Sequence, residues 1–158
     1  KDDALEYIHN EIGYNYRLTN IQAALGVAQM ERLDEFIEIK RSIAQRYDES
    51  LADIEGLGFM ETQSGVNPIH WLYTVLMPET VSLEERQGII KRLNDAGIGA
   101  RPLWHTLHDL PPYRECQAYK VDVASMLYRR AVSLPSSVGL NPGGQDRSVT
   151  ELRRILLG

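Results

Sequence analysis

The chain is short of several things, and each shortage removes a class of function. It has one cysteine, Cys116, so no internal disulfide can form. No stretch approaches the ~20 consecutive apolar residues of a membrane-spanning helix. Basic residues do not outnumber acidic ones: 17 Lys and Arg stand against 22 Asp and Glu, a formal net charge of -5. That balance cannot neutralise a run of phosphates, which argues against nucleic acid as a partner, and it gives no reason to expect a membrane surface. Glycine-rich dinucleotide and P-loop patterns are missing, and Gly143-Gly144 reads as a loop. Convincing nucleophiles are also missing, since Ser136-Ser137 after Leu134-Pro135 reads as a plain turn and Cys116 has no base fixed beside it. The opening Lys1-Asp2-Asp3 has neither an initiator methionine nor the basic-then-apolar pattern of a signal peptide. The expectations are a cytoplasmic location and an N-terminus that is not the start of the gene.

What is present is ordinary for a folded protein. The 158 residues are 43% hydrophobic and 25% charged, within the range of a soluble globular domain with a real core. From Leu18 to Ile54 the apolar positions recur mostly at helical spacing, which predicts one long helix or two abutting ones. Thr19 followed by Gln22 has the form of a capping box and places the start near Thr19. Ala23, Ala24, Gly26 and Ala28 give the first turns a small-residue face suited to close packing, possible between subunits. The helix is expected to stop at Gly56-Leu57-Gly58. The run from His70 to Met77 is rich in aromatic and branched residues and predicts a strand buried on both faces, central to a small sheet. Ser82 with Glu85 opens a second helix on Leu83, Ile89, Ile90 and Leu93, closed by Gly97. A strand at 98–103, a helix at 122–130, a strand at 131–134 and a terminal helix at 148–157 follow. The expected class is α+β, a small antiparallel or mixed sheet covered by helices. Its parts are an N-terminal loop segment (1–17), a long linking helix or helix pair (18–55) and a small α/β domain (56–158).

Two clusters could carry chemistry. Gly13 to Asn20 packs Tyr14, Asn15, Tyr16 and Arg17 ahead of a helix N-terminus, where free N–H groups favour anions and an arginine suits phosphate or carboxylate. On the residues alone the commoner reading is a helix entry, with the tyrosines packed and Arg17 paired to a carboxylate such as Glu11. Arg101 to His108 holds arginine, tryptophan and two histidines at the head of a long loop, a combination that grips a phosphorylated or sugar-like ligand by charge and ring stacking. Trp104 reads alternatively as a core aromatic. A metal site on His105 and His108 is disfavoured, since further ligands at a recognised spacing are lacking and Pro102 opposes a regular helix.

The stretch from His9 to Arg41 (HNEIGYNYRLTNIQAALGVAQMERLDEFIEIKR) resembles the DegT/StrS family of pyridoxal-phosphate-dependent nucleotide-sugar aminotransferases. Gly97 to Trp104 with His108, and Leu134 to Ser137, look like two further segments of that family in the same order. The resemblance implies the C-terminal portion of a fold-type I aminotransferase, a homodimer, whose Schiff-base lysine lies upstream; Lys1 does not match that lysine's context. It implies that Asn15 and Arg17, with Tyr14 beside them, contact the cofactor phosphate of the other subunit. Arg101, Trp104 and His108 match the segment that lines the nucleotide-sugar pocket, and His9 stands at a position often histidine in relatives. The implied reaction moves an amino group, with glutamate as donor, to a keto-deoxy sugar on UDP or GDP, and the isolated chain is expected to be inactive. A pyridoxamine-dependent sugar dehydratase of the same family and a stand-alone binding domain are the competing readings.

Overall fold

The computed structural model describes residues 14–158. The chain forms two compact units, Lys1–Asp34 and Glu35–Gly158.

In the first unit an extended segment leads to helix α1, Asn20–Met30. Thr19 is its N-cap and the capping box is complete: the Gln22 N–H donates to Thr19 Oγ1 at 3.3 Å, and the Thr19 N–H donates to Gln22 Oε1 at 2.9 Å. No residue of α1 is buried, and apart from its own helix backbone and chain neighbours no described atom lies within 4 Å of where a Cβ on Gly26 would sit. Leu18, Ile21, Leu25, Val27 and Met30 are all exposed. Of the two arrangements the periodicity allows, the structure has two abutting helices, a turn at Glu31 and Arg32 separating α1 from α2, Leu33–Leu51.

The second unit has α2, then β1 (Tyr73–Leu76), α3 (Leu83–Asp95), β2 (Arg101–Pro102), α4 (Asp122–Arg130), β3 (Ala131–Leu134) and α5 (Pro142–Leu157). The sheet order is β1-β3-β2, antiparallel throughout, with Tyr73 opposite Leu134 and Arg101 opposite Ser133. The α+β class therefore holds, and the sheet is antiparallel rather than mixed.

The expected central strand is at the edge. β1 alternates buried and half-buried residues, whereas all four residues of β3 are buried. The aromatic and branched content of 70–77 reports β-propensity, which is the same at an edge as in the middle. Position in the sheet is set by β3, which arrives last and inserts between the other two. The strand expected over 98–103 pairs only at Arg101 and Pro102.

The core joins Tyr47 and Leu51 of α2, Val75 and Met77 at β1, Leu93 of α3, Val132 of β3 and Leu152 of α5, each fully buried. Burial of such side chains contributes ~1.5–3 kcal/mol apiece. Ser82 and Glu85 form the second capping box, with Ser82 N–H to Glu85 Oε2 at 2.7 Å. Gly97 takes φ +74°, a left-handed conformation that requires glycine, while the one atom a Cβ there would meet, at 2.8 Å, is the movable end of the Arg147 side chain. Helix α2 ends at Leu51, earlier than the glycines at 56 and 58 suggest, and Gly56 closes the turns that follow with φ +77°.

The terminal helix begins at Pro142, not at Ser148, and Gly143-Gly144 is its first turn rather than a loop. Asn141 caps it, its Oδ1 accepting the Gly144 N–H at 2.7 Å, and Pro142 supplies the preset φ of a first helical residue. Two glycines outweighed that signal in the sequence. Packing makes up their helix-propensity deficit, because the next residue, Gln145, is buried and donates to the Ile43 carbonyl at 2.6 Å.

Candidate functional site

In the first unit, Asn15 Oδ1 accepts from the Arg17 backbone N–H at 3.1 Å and lies 3.4 Å from Arg17 Nε. This local turn is the kind asparagine favours, and it fixes the backbone immediately before α1. Tyr14 and Tyr16 are 79% and 90% exposed with ring centres 6.1 Å apart, so they do not pack as a buried helix entry. No acidic residue occurs from 14 to 30. Glu11 and His9 lie outside the described residues.

In the second unit, the β2–β3 pairing sets Arg101 opposite Ser133, and Ser133 in turn faces Thr74 of β1, their hydroxyls 2.9 Å apart. Beyond β2 the chain carries Trp104 back alongside Trp71, the second residue before β1. The two indoles lie 13° from parallel with centres 6.1 Å apart, and they are 66% and 70% exposed. Trp104 is thus not a core aromatic. Trp71, Arg101, Pro102, Trp104 and Ser133 line a cleft of about 460 Å³. A neighbouring hollow of about 400 Å³ shares Trp71, Leu72, Arg101 and Ser133 with it and reaches Lys40 and Ser136.

Lys40 of α2 organises this region. Its ammonium donates to the Trp71 carbonyl at 2.6 Å and to the Ser136 carbonyl, and burial lowers its pKa from the ordinary lysine value. Ser136, buried, accepts the Tyr73 N–H through its hydroxyl at 3.3 Å. The Leu134 to Ser137 segment is therefore a tether between β3, β1 and α2 rather than a plain turn.

His108 sits elsewhere. It is half-buried, with Nε2 3.2 Å from Ser125 Oγ and 3.4 Å from Asp109 Oδ2, and it lines a cavity of about 530 Å³ with Tyr113, Cys116 and Tyr119. That cavity and the Trp71–Trp104 cleft have no lining residue in common. The Thr106 hydroxyl donates to the Asp109 carboxylate, and this bond, aided by the charge of His108, holds the Asp109 pKa below its usual range. His105 packs its ring 4.7 Å from that of Tyr128. Of the residues singled out in the sequence, the fold brings Arg101 and Trp104 together and sets His108 apart from them.

Trp71, Lys40 and Ser133 were not legible as site residues. Trp71 stands inside a run that reads as a buried strand, and the fold alone shows that it precedes the strand, which begins at Tyr73.

Residues 1–153 match the model of the DegT/DnrJ/EryC1/StrS aminotransferase family. The chain belongs to that family. Among curated relatives of this DegT/DnrJ/EryC1/StrS chain, EpsN of Bacillus subtilis, which carries a pyridoxal phosphate-dependent aminotransferase name, is 37% identical over 98% of the chain and 40% of its own length. A GDP-perosamine synthase of Caulobacter vibrioides is 35% identical over 92% of the chain and 39% of its own length. Among solved structures, Helicobacter pylori PseC, an aminotransferase of pseudoaminic acid biosynthesis, superposes with TM-score 0.84 at 22% identity, covering 99% of the chain and 42% of PseC. A family aminotransferase from Brucella abortus gives TM-score 0.77 at 26% identity, covering 98% of the chain and 40% of its own. The chain thus spans about 40% of the length of these relatives, and its fold is that of the C-terminal portion of a fold-type I aminotransferase.

The family's cofactor is pyridoxal 5'-phosphate, and the donor set of the 14–17 segment fits a phosphate. Arg17 offers a planar fork, Asn15 keeps its amide N–H groups, two tyrosine hydroxyls are exposed, and a helix N-terminus follows without an acid in its first turn.

Proposed function

We propose that the protein to which this chain contributes its C-terminal portion transfers an amino group, with glutamate as donor, to the keto carbon of a nucleotide-linked deoxy sugar. The observation that carries this reading is the convergence of Arg101 and Trp104 on one open cleft in a chain of this family. An arginine and an exposed indole at one opening suit a substrate with a diphosphate at one point and flat apolar rings at another. Relatives of 34–36% identity named GDP-perosamine synthase favour a guanosine-linked sugar.

Bound pyridoxal phosphate supplies the electron sink for moving the amino group. The residues of this chain bind and orient. Asn15, Arg17 and Tyr14 hold the phosphate of the cofactor in a homodimer, Arg101 and Trp104 hold the substrate, and His9 adds to the substrate side, whereas His108 lines a separate cavity and has no part in that cleft. The lysine that exchanges protons lies outside this chain, so the isolated chain binds without turnover.

The test uses the full-length protein with ¹⁵N-glutamate and GDP-, UDP- or dTDP-linked 4-keto-6-deoxy sugars, read by mass spectrometry. Label in a sugar amine is expected; dehydrated sugar without label, or no change with any of the three, overturns the assignment. Changing Asn15 and Arg17 together to alanine is expected to weaken cofactor retention in equilibrium dialysis at least tenfold.

A further inference from the structure

His70 takes φ +48°, in the left-handed region that residues with a Cβ avoid. The next carbonyl, that of Trp71, accepts Lys40 Nζ at 2.6 Å, and the same ammonium also reaches the Ser136 carbonyl. These two restraints fix the backbone at Trp71, whose indole stays 66% exposed and lies nearly parallel to that of Trp104, 70% exposed. Strain and a partly desolvated cation are usual where a fold over-determines a functional side chain, and the core gains little from fixing an indole that points to solvent.

The lining decides what this aromatic surface receives. Among the described residues its charged and hydroxyl members are Arg101 and Ser133, with no carboxylate or side-chain amide. A sugar ring laid on an indole needs such groups to take its hydroxyls; a heterocyclic base needs chiefly a flat partner, which an exposed indole face of this stacked pair provides. We propose that Trp71, held in place by Lys40, forms with Trp104 a stacking wall for the base of the substrate's nucleotide, while Arg101 takes the adjoining diphosphate. The proposal rests on the nucleotide-sugar reading and adds to it Trp71 as a binding residue and Lys40 as a positioning residue.

Both tryptophans of the chain belong to this wall, so emission excited selectively at tryptophan, beyond the absorption of the eight tyrosines, reports on it. Titration with GDP is expected to give saturable quenching. Trp71→Phe should bind within about threefold of the parent, Trp71→Ala at least about tenfold more weakly with Trp104 as reporter, and ribose 5-phosphate should not saturate in the same range. Lys40→Met should weaken GDP binding and Lys40→Arg should restore it, a rescue that a merely structural defect would not give. Equal GDP affinity in Trp71→Ala and the parent overturns the stacking role while leaving the nucleotide-sugar reading intact. Absence of quenching in the parent overturns the wall, and only if ¹⁵N transfer by the full-length protein also fails does the underlying reading fall. Ribose 5-phosphate matching GDP would show that the base is not what the wall holds.

Discussion

The Tyr73 hydroxyl donates to Asp48 Oδ1 at 2.6 Å, joining β1 to α2, and the Tyr73 ring stacks on that of Tyr47 at 4.6 Å. Burial, then the bond to Asp48 and its charge, raise the Tyr73 phenol well above the ordinary tyrosine value; burial raises Tyr47 as well. A phenol whose folded pKa exceeds its unfolded value of ~10 stabilises the fold fully below that pH. Above it the unfolded chain loses the proton while the folded chain keeps it, so stability falls as pH rises, by at most ~1.4 kcal/mol per pH unit for each tyrosine. Tyr73→Phe should cost ~1 kcal/mol at pH 7 and flatten the alkaline fall. Urea titrations of both proteins at pH 7 and 11 test this, and parallel losses in the two would refute it.

The two capping boxes should differ in consequence although their chemistry is the same. Ser82→Ala removes the cap of α3, whose Ile89, Ile90 and Leu93 are in the core, and should lower global stability by ~1 kcal/mol. Thr19→Ala removes the cap of α1, which buries no residue, and should reduce helical content while leaving the cooperative urea midpoint unmoved. A midpoint shift as large for Thr19→Ala as for Ser82→Ala would contradict this division.

Local signals were legible and non-local ones were not. Thr19 with Gln22, Ser82 with Glu85, and Gly97 each act within a few residues, and each does in the fold what its type predicts. The bounds of α4 and β3 were likewise readable, since Arg130 and Ala131 divide a helical from an extended pattern. The order β1-β3-β2 was hidden because it depends on which distant strand arrives between two others. Arg101 and Trp104 were found through the company they keep in one segment. Trp71 was not, because an exposed tryptophan beside a strand has the same letters as a buried one, and its place depends on Lys40, 31 positions earlier.

Leu51 and Leu25 are chemically identical side chains on successive helices, one fully buried and the other 64% exposed. Leu51→Ala removes a buried isobutyl group and leaves a cavity, for an expected loss of ~2–5 kcal/mol. Leu25→Ala should change the stability of the chain by no more than ~0.5 kcal/mol. Thermal unfolding of the two variants in parallel would measure the contrast, and a loss above ~2 kcal/mol for Leu25→Ala would mean that α1 is covered in solution.

Arg86 of α3 is 1% exposed, its Nε has no hydrogen-bond partner among the described residues, and its guanidinium carbon lies 5.3 Å from the centre of the Tyr128 ring. A buried donor left unpaired costs ~1–3 kcal/mol, against ~0.5–2 kcal/mol gained from a cation over an aromatic face. The ring contact offsets at most part of that cost and of the cost of desolvating the cation, so the charge adds no net stability, whereas the buried side-chain volume packs against Tyr128 of α4. Arg86→Met keeps most of that volume and removes the unpaired donor, and it should leave the melting temperature unchanged or a few degrees higher. Arg86→Ala opens a cavity at the same place and should lose on the order of 2 kcal/mol. If Arg86→Met instead proves as destabilising as Arg86→Ala, the guanidinium itself holds Tyr128, and through it the His105 ring at 4.7 Å.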